Sequence, residues 1–361
     1  MKVESIEAFP MRIKAREKLR GGSFNYSHYQ TVLVKVTSDG EEGWGEAMTR
    51  FDPAASARIV RFLSKSILGK SFPEVKSAWN QVWRELRVRG HTRGIGVEAL
   101  SGIEIALYDC LGKQEGKSVG ELLSRRPAKK VKVFAGSLFR SRGALGDQVQ
   151  EAKARGLMGA KVKIGFGVEE DSATLAAVRK AWPEGMIVAD ANGAYDGATA
   201  TRACRAFEGF GLSWFEEPVL SDDWEGYKAL KKSKVPIGAG ESWFPNDFDG
   251  PISEKLVAVL EPSVSRCGGI GIEAWVGDNA RRAKMGFSPM TGLNSAISLA
   301  ASLQVAAAFP SLGVEYNPFA NPLQSDLVEE LPEPKAGLMR VPGSPGLGVE
   351  VDERFVKSHS G

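Results

Sequence analysis

The chain has 361 residues, 43% of them hydrophobic and 25% charged, with a formal net charge of +3. That balance fits a large globular core, and it lacks the concentrated positive charge expected of nucleic-acid or membrane-surface binding. Cys110, Cys204 and Cys267 lie far apart and match neither a metal-ligand spacing nor a disulfide framework. Met1-Lys2-Val3-Glu4 shows no signal-peptide pattern, so a reducing cytoplasm is the expected compartment. The apolar stretch 296–309 is broken by Ser298, Ser302 and Gln304 and reads as a core helix rather than a membrane span.

In chain order, residues 2–13 read as a strand, with Phe9, Met11 and Ile13 alternating against Pro10, Arg12 and Lys14. Thr31–Val36 is a second strand and Gly43–Ala47 a third, separated by turn residues Ser38-Asp39-Gly40. Between the first two, residues 20–29 are polar and aromatic and read as a flexible lid that brings Tyr26 and His28 toward a site. Apolar residues then recur at helical spacing: Ile59, Leu63 and Ile67 within 53–68, and Leu100, Ile103, Leu107 and Cys110 within 96–112. Strands followed by helices predict an α+β lobe over 1–125.

Arg125-Arg126-Pro127-Ala128-Lys129-Lys130 marks a boundary. From Val131 onward strand-like and helix-like segments alternate, with a strand over Ala160–Ile164 and a helix over 168–181. Three apolar runs in the middle each end in a carboxylate: Met186–Ala189 in Asp190, Leu212–Phe215 in Glu216-Glu217-Pro218, and Pro236–Gly240 in Glu241. Asp190 and Glu216 are 26 residues apart, Glu216 and Glu241 25, with room for one helix in each gap. If this parallel sheet closes into a barrel, all strand C-terminal ends share one face and the three carboxylates converge there. A single such carboxylate is usually a helix cap or a solvated loop charge. Three in register are better explained as hard oxygen ligands for Mg²⁺. Further strands are expected over Val257–Glu261, Gly286–Met290 and Leu312–Glu315. The organisation predicted is α/β: a (β/α) barrel over 126–330, with the tail 331–361 packing on the lobe.

These marks in order resemble the enolase superfamily, in its mandelate racemase and muconate lactonizing enzyme branch. They are Lys161-Val162-Lys163-Ile164-Gly165, Asp190-Ala191-Asn192, Trp214-Phe215-Glu216-Glu217-Pro218, Gly240-Glu241, Arg266-Cys267-Gly268-Gly269, Glu315, and the tail from Val341-Pro342 to Pro345-Gly346-Leu347-Gly348. The resemblance implies a modified barrel capped by a lobe built from both chain ends, with Mg²⁺ held by Asp190, Glu216 and Glu241. It implies abstraction of the proton α to a carboxylate, a chemistry for which a Lys or His base with Mg²⁺ is a general property of the superfamily. Lys163 is then the expected base and Lys161 its electrostatic partner, with Arg266 as an anion anchor and Glu315 a further catalytic residue. Asn192, Tyr26, His28 and Met290 are the expected substrate contacts.

One departure matters. Mandelate racemases carry an aspartate on the sixth strand and a histidine on the seventh, positions that the resemblance matches to Ser263 and Met290 in this chain. The muconate lactonizing branch has a lysine at the Ser263 position. The histidines of the chain are His28, His91 and His359, none on the barrel. Dehydration of an acid sugar to a 2-keto-3-deoxy acid needs one base to start and is the first expectation. A racemase or epimerase, a cycloisomerase, and a metal- and carboxylate-binding homologue without catalysis are the alternatives. The expected partner is a small-molecule carboxylate, with neither nucleic acid nor membrane, and a homo-oligomer is expected.

Overall fold

The computed structural model describes residues 1–139 and 143–360. Strands β1 (Val3–Arg20), β2 (Asn25–Ser38) and β3 (Glu41–Met48) pair antiparallel in that order. The first two are longer than the sequence pattern indicates. Residues 25–29, expected in a flexible loop, extend β2 and pair with β1, His28 opposite Lys14 and Asn25 opposite Arg20. The polar composition of this stretch hides the strand, although Ala15, Leu19 and Tyr29 are buried in the main core and Tyr26 packs against it while Asn25 and Ser27 stay exposed. The register slips between Lys14 and Leu19, a bulge just before the tip.

Helices α1 (Pro53–Ser64), α2 (Val75–Val88) and α3 (Ile95–Glu115) follow. Asp52 starts α1 by accepting the Ala54 N–H, with Pro53 in the first turn. α3 is buried over most of its circumference because β3 packs on one side and the barrel on the other. Its apolar residues Leu100, Ile103 and Leu107 enter the lobe core with Val32, Val34 and Val60.

Its other face carries Glu98, Ser101 and Glu104 at helical spacing, and these side chains hold one barrel loop. Glu98 pairs with Arg266 at 3.3 Å. Ser101 Oγ accepts the Gly268 N–H at 2.9 Å. Glu104 accepts the N–H groups of Ile270 and Gly271 at 2.7 Å each. Gly269 has φ +102°, and a Cβ there would strike the Glu104 carboxylate. The Gly268-Gly269 pair thus lets a buried carboxylate reach the start of the next helix.

After α4 (Val119–Leu123) the barrel alternates strand and helix. Its first half is β4 (Lys130–Leu138), α5 (Leu145–Ala154), β5 (Gly159–Lys163), α6 (Val168–Ala181), β6 (Met186–Asp190), α7 (Gly197–Phe207), β7 (Trp214–Glu216) and α8 (Trp224–Leu230). Its second half is β8 (Ile237–Ala239), α9 (Asp249–Glu254), β9 (Val259–Leu260), α10 (Ile270–Ala283), β10 (Gly286–Phe287), α11 (Ala296–Ala308) and β11 (Val314–Tyr316). Among the described residues, the eight strands β4–β11 run parallel in the order β10-β9-β8-β7-β6-β5-β4-β11. The two ends meet where Leu312 N–H donates to Phe287 O at 2.8 Å and Ser288 Oγ to Gly313 O at 2.9 Å. Phe134, Val188, Trp214 and Val259 fill the barrel interior below the carboxylates. No described helix is long and apolar enough to cross a membrane.

The tail does not pass directly to the lobe as expected. After α12 (Pro322–Ser325), β12 (Leu338–Arg340) pairs antiparallel with Lys130–Lys132, at the start of β4 and away from the carboxylates. Its backbone groups complete that strand edge. The chain then returns to the lobe. Leu347 N–H donates to Asp109 at 2.8 Å, and α13 (Glu353–His359) packs on β1, with Glu353 2.6 Å from Lys35.

Glu104→Ala leaves the buried Ile270 N–H and the half-buried Gly271 N–H without an acceptor, the buried one costing about 1–3 kcal/mol and the other less. Denaturant unfolding of this variant should show a loss of about 2–3 kcal/mol, and an unchanged midpoint would show that Glu104 does not secure the α10 junction.

Candidate active site

The parallel strands bring the carboxylate-bearing ends together. Asp190 ends β6, Glu216 ends β7, and Glu241 lies just beyond β8. One oxygen from each lies within 4.8 Å of the others. Asp190 is oriented by its own turn, in which Oδ1 accepts the Asn192 N–H at 2.9 Å while Asn192 adopts φ +47°.

Both lysines of β5 point into this cluster, as residues two apart on a strand must share a face. Lys161 Nζ lies 3.1 Å from Glu216, 3.2 Å from Glu315 and 3.3 Å from Asp190. Lys163 Nζ contacts Asp190, donates to Asn192 Oδ1 at 2.8 Å, and sits 5.4 Å from the centre of the Phe24 ring.

Burial alone would lower the Lys161 pKa. The charges of Glu216, Glu315, Asp190 and Glu241 overcome it and hold the ammonium well above the ordinary lysine range. Glu216 is pushed well above the usual carboxylate range by burial and by the neighbouring charges of Asp190 and Glu261. Glu217 is raised to about 7 by burial and by Glu241 and Asp190. Burial also opposes ionisation of Glu241, but Lys161, Lys163, Arg50 and Arg266 bring it down to about 2.

The donor set fits a divalent cation. Among the described residues, Glu216 Oε2 and Glu241 Oε2 are buried without a hydrogen-bond partner. A hard cation would occupy that convergence of oxygens and relieve the charge that lifts Glu216 and Glu217.

The cluster opens into a cavity of about 270 Å³. Ser137, Phe139, Lys161, Lys163 and Asn192 line one side, and Glu217, Glu241, Ser242 and Arg266 the other. The lobe supplies the roof through Ser23, Phe24, Tyr26, Arg50 and Phe51. Ser23 Oγ donates to Asn192 O at 2.8 Å. Gly22 rests on the Gly165 backbone so closely that a Cβ on Gly22 would lie 2.6 Å from Gly165 O.

Of the expected site residues, the structure joins Lys161, Lys163, Asp190, Asn192, Glu216, Glu241, Glu315 and Arg266, with Tyr26 in the roof. Glu315 is fully buried beneath the cavity, where it contacts Lys161 and accepts the Gly292 N–H at 2.7 Å. His28 and Met290 do not line the cavity. His28 lies two residues farther along β2 than Tyr26, about 7 Å from it by strand rise, and its ring meets Ser27. Met290 is buried behind the wall, its N–H bonded to Pro262 O. Sequence reasoning missed Phe24, Arg50, Phe51, Ser137, Phe139 and Ser242. Arg50 lies just past β3, and nothing local in Met48-Thr49-Arg50-Phe51 shows that this strand end faces a barrel mouth.

A lobe roofing a (β/α) barrel, with three carboxylates and two lysines at the strand ends, defines an enolase-type site. Residues 144–355 match the Enolase C-terminal domain-like family, and residues 20–124 match the Mandelate racemase / muconate lactonizing enzyme, N-terminal domain. The chain belongs to the mandelate racemase and muconate lactonizing enzyme family of the enolase superfamily. It is 30% identical to D-galactarolactone cycloisomerase of Agrobacterium fabrum over 98% of this chain and 97% of that one. It is 29% identical to arabinonate dehydratase of Saccharolobus solfataricus over 87% and 86%. The crystal structure of the 3,6-anhydro-D-galactonate cycloisomerase from Zobellia galactanivorans superposes with a TM-score of 0.90 at 26% identity, covering both chains completely.

Mg²⁺ binding should displace protons, because Glu216 and Glu217 hold them more tightly than ordinary carboxylates in the metal-free site. Protons compete with the cation, so calorimetric affinity should rise from about pH 6 to about pH 8, across the raised Glu217 value. Proton release should appear as a dependence of the heat on buffer ionisation enthalpy. Glu216→Ala should abolish tight binding, and unchanged affinity would remove Glu216 from the ligand set.

Proposed function

We propose that this protein removes the proton α to the carboxylate of an acid sugar and eliminates the β-hydroxyl, giving a 2-keto-3-deoxy acid. The observation that carries this reading is the position of Lys163 Nζ, held between Asp190 and Asn192 beside the carboxylate triad and open to the cavity. Lys163 takes the α-proton, and the electron pair left on carbon delocalises into the substrate carboxylate as an enediolate. Lys161 keeps a fixed positive charge beside that carboxylate, and Glu315 holds Lys161 from below. Asn192 orients Lys163 through its side-chain oxygen. Arg266 anchors negative charge at the opposite wall, and Tyr26 helps shut out water. Asp190, Glu216 and Glu241 are suited to hold Mg²⁺, which when bound supplies positive charge to the carboxylate as its own charge grows.

Collapse of the enediolate expels the β-substituent. A departing hydroxide needs a proton, which Lys163 can return on the face from which it took one. This reading agrees with relatives named as arabinonate and D-galactonate dehydratases.

The chemistry of the opposite wall favours cycloisomerisation as a second reading. No histidine stands on the barrel, Met290 is buried, and the Ser263 hydroxyl is enclosed without a hydrogen-bond partner among the described residues. The ring oxygen of a lactone departs as a carboxylate and needs no acid, whereas an ether ring oxygen departs as an alkoxide and takes a proton as hydroxide does; two of the proteins similar to this chain are named as cycloisomerases. Racemisation ranks lower, since it normally requires a base on each face of the carbon.

Incubating the protein with Mg²⁺ and a panel of acid sugars in D₂O, followed by NMR, tests the reading. α-Proton exchange and 2-keto acid formation are expected for at least one member. Lys163→Ala should lower exchange by about 10²–10⁴ or more while Mg²⁺ affinity is kept. Wild-type exchange in that variant would exclude Lys163 as the base.

A further inference from the structure

The two arginines of the cavity have no role in moving the α-proton, yet they are held where a substrate would meet them. Arg266 is tethered on its Nε side by Glu98 at 3.3 Å, and its Nη1 lies 3.4 Å from Ser242 Oγ. Arg50 comes from the lobe and stacks on the Tyr26 ring, 5.7 Å from its centre. Among the described residues it makes no ion pair with a carboxylate. Both line the same cavity as Lys161 and Lys163, and both act on Glu98 and Glu241 through charge.

The cavity wall therefore carries four cations at two places. Lys161 and Lys163 come from β5, within the carboxylate cluster. Arg50 and Arg266 belong to the roof and to the wall after β9. One carboxylate group on a substrate can engage the first pair. It leaves the second pair to meet a further anion, with Glu98 and Glu241 as their shared neighbouring carboxylates. A partly buried guanidinium with an open fork is a strong carboxylate acceptor, since two parallel charge-assisted hydrogen bonds fit its planar donors. A cavity of about 270 Å³ suits a small acid, lying just below the ~300–1,000 Å³ of drug-sized ligand sites.

We infer that the substrate is a small sugar diacid whose second carboxylate is received by Arg50 and Arg266 at the far wall. This rests on the reading of the site as one that acts on acid sugars. It adds that both ends of the substrate are anionic, so an aldonate, ending in a hydroxymethyl group, lacks half of the recognition.

The test compares aldaric acids with the aldonic acids of the same configuration. Binding is measured by calorimetry with Mg²⁺ present in Lys163→Ala, which removes turnover, and α-proton exchange is followed in the wild type. The diacids should bind about tenfold to a hundredfold more tightly, as expected for hydrogen bonds to a charged group. Arg50→Gln in the same background should bring that ratio close to one, and Arg50→Lys should restore part of it. Thermal melting checks that the variants fold, and the ratio in the parent protein stands without them. Equal binding of diacid and monoacid, or binding of neither, would overturn the inference. So would a preference that survives Arg50→Gln. If the diacid preference appears and depends on Arg50 but the wild type exchanges no α-proton, the second-carboxylate site stands and the catalytic reading fails.

Discussion

Much of the site depends on one buried polar face of the lobe's long helix. A helix this enclosed would ordinarily be apolar all round. α3 instead directs Glu98, Ser101 and Glu104 at a barrel loop whose backbone N–H groups have no strand partner. Those donors stand at the start of α10, where uncompensated N–H groups and the helix dipole favour negative charge. The contact fixes the lobe on the barrel and sets the place of Arg266. A second contact of the same kind lies nearby, where Glu46 of β3 accepts from Ser295 and Ser298 at the start of α11. The lobe thus grips the barrel through helix starts, which tolerate buried carboxylates better than most interior positions.

The interior of the barrel has the reverse balance. Below the mouth, an apolar layer built on Phe134 and Trp214 excludes water. Above it, Asp190, Glu216, Glu241, Glu261 and Glu315 share the space with Lys161 and Lys163. Buried charge of this kind is costly unless paired. The two lysines compensate it only in part, which is why burial and mutual repulsion move Glu216 and Glu217 upward. A divalent cation would complete the compensation, and the all-oxygen donor set of Asp190, Glu216 and Glu241 suits a hard one.

The parts of this arrangement with a chain period were legible in the sequence. Asp190, Glu216 and Glu241 recur with the βα spacing, and a parallel barrel aligns whatever ends its strands. Lys161 and Lys163 share a face by strand geometry alone. The roof was not legible, because Phe24, Arg50 and Phe51 reach the cavity through the packing of one unit on another. His28 was misplaced for a related reason: a polar aromatic stretch reads as a loop, while pairing with β1 made it a strand and carried the side chain away from the tip. The polar face of α3 was hidden as well. Glu98, Ser101 and Glu104 look like a solvated helix side until the barrel loop that covers them is known. Ser263 and Met290 stand in the sequence as departures from the family's acid-base pair, and the structure adds that both are enclosed.

The register slip in the β1–β2 ribbon has a mechanical consequence. A two-stranded ribbon with regular pairing bends stiffly, like a cantilever fixed at its base. The slip between Lys14 and Leu19 interrupts that stiffness close to the free end, and beyond it the tip rests on the barrel through the Gly22–Gly165 contact. Compliance is therefore concentrated in a short flap that carries Phe24 and Tyr26. The floor of the cavity is set apart from that flap, since Lys161, Lys163, Asp190 and Glu216 stand on barrel strands with which the β1–β2 ribbon does not pair.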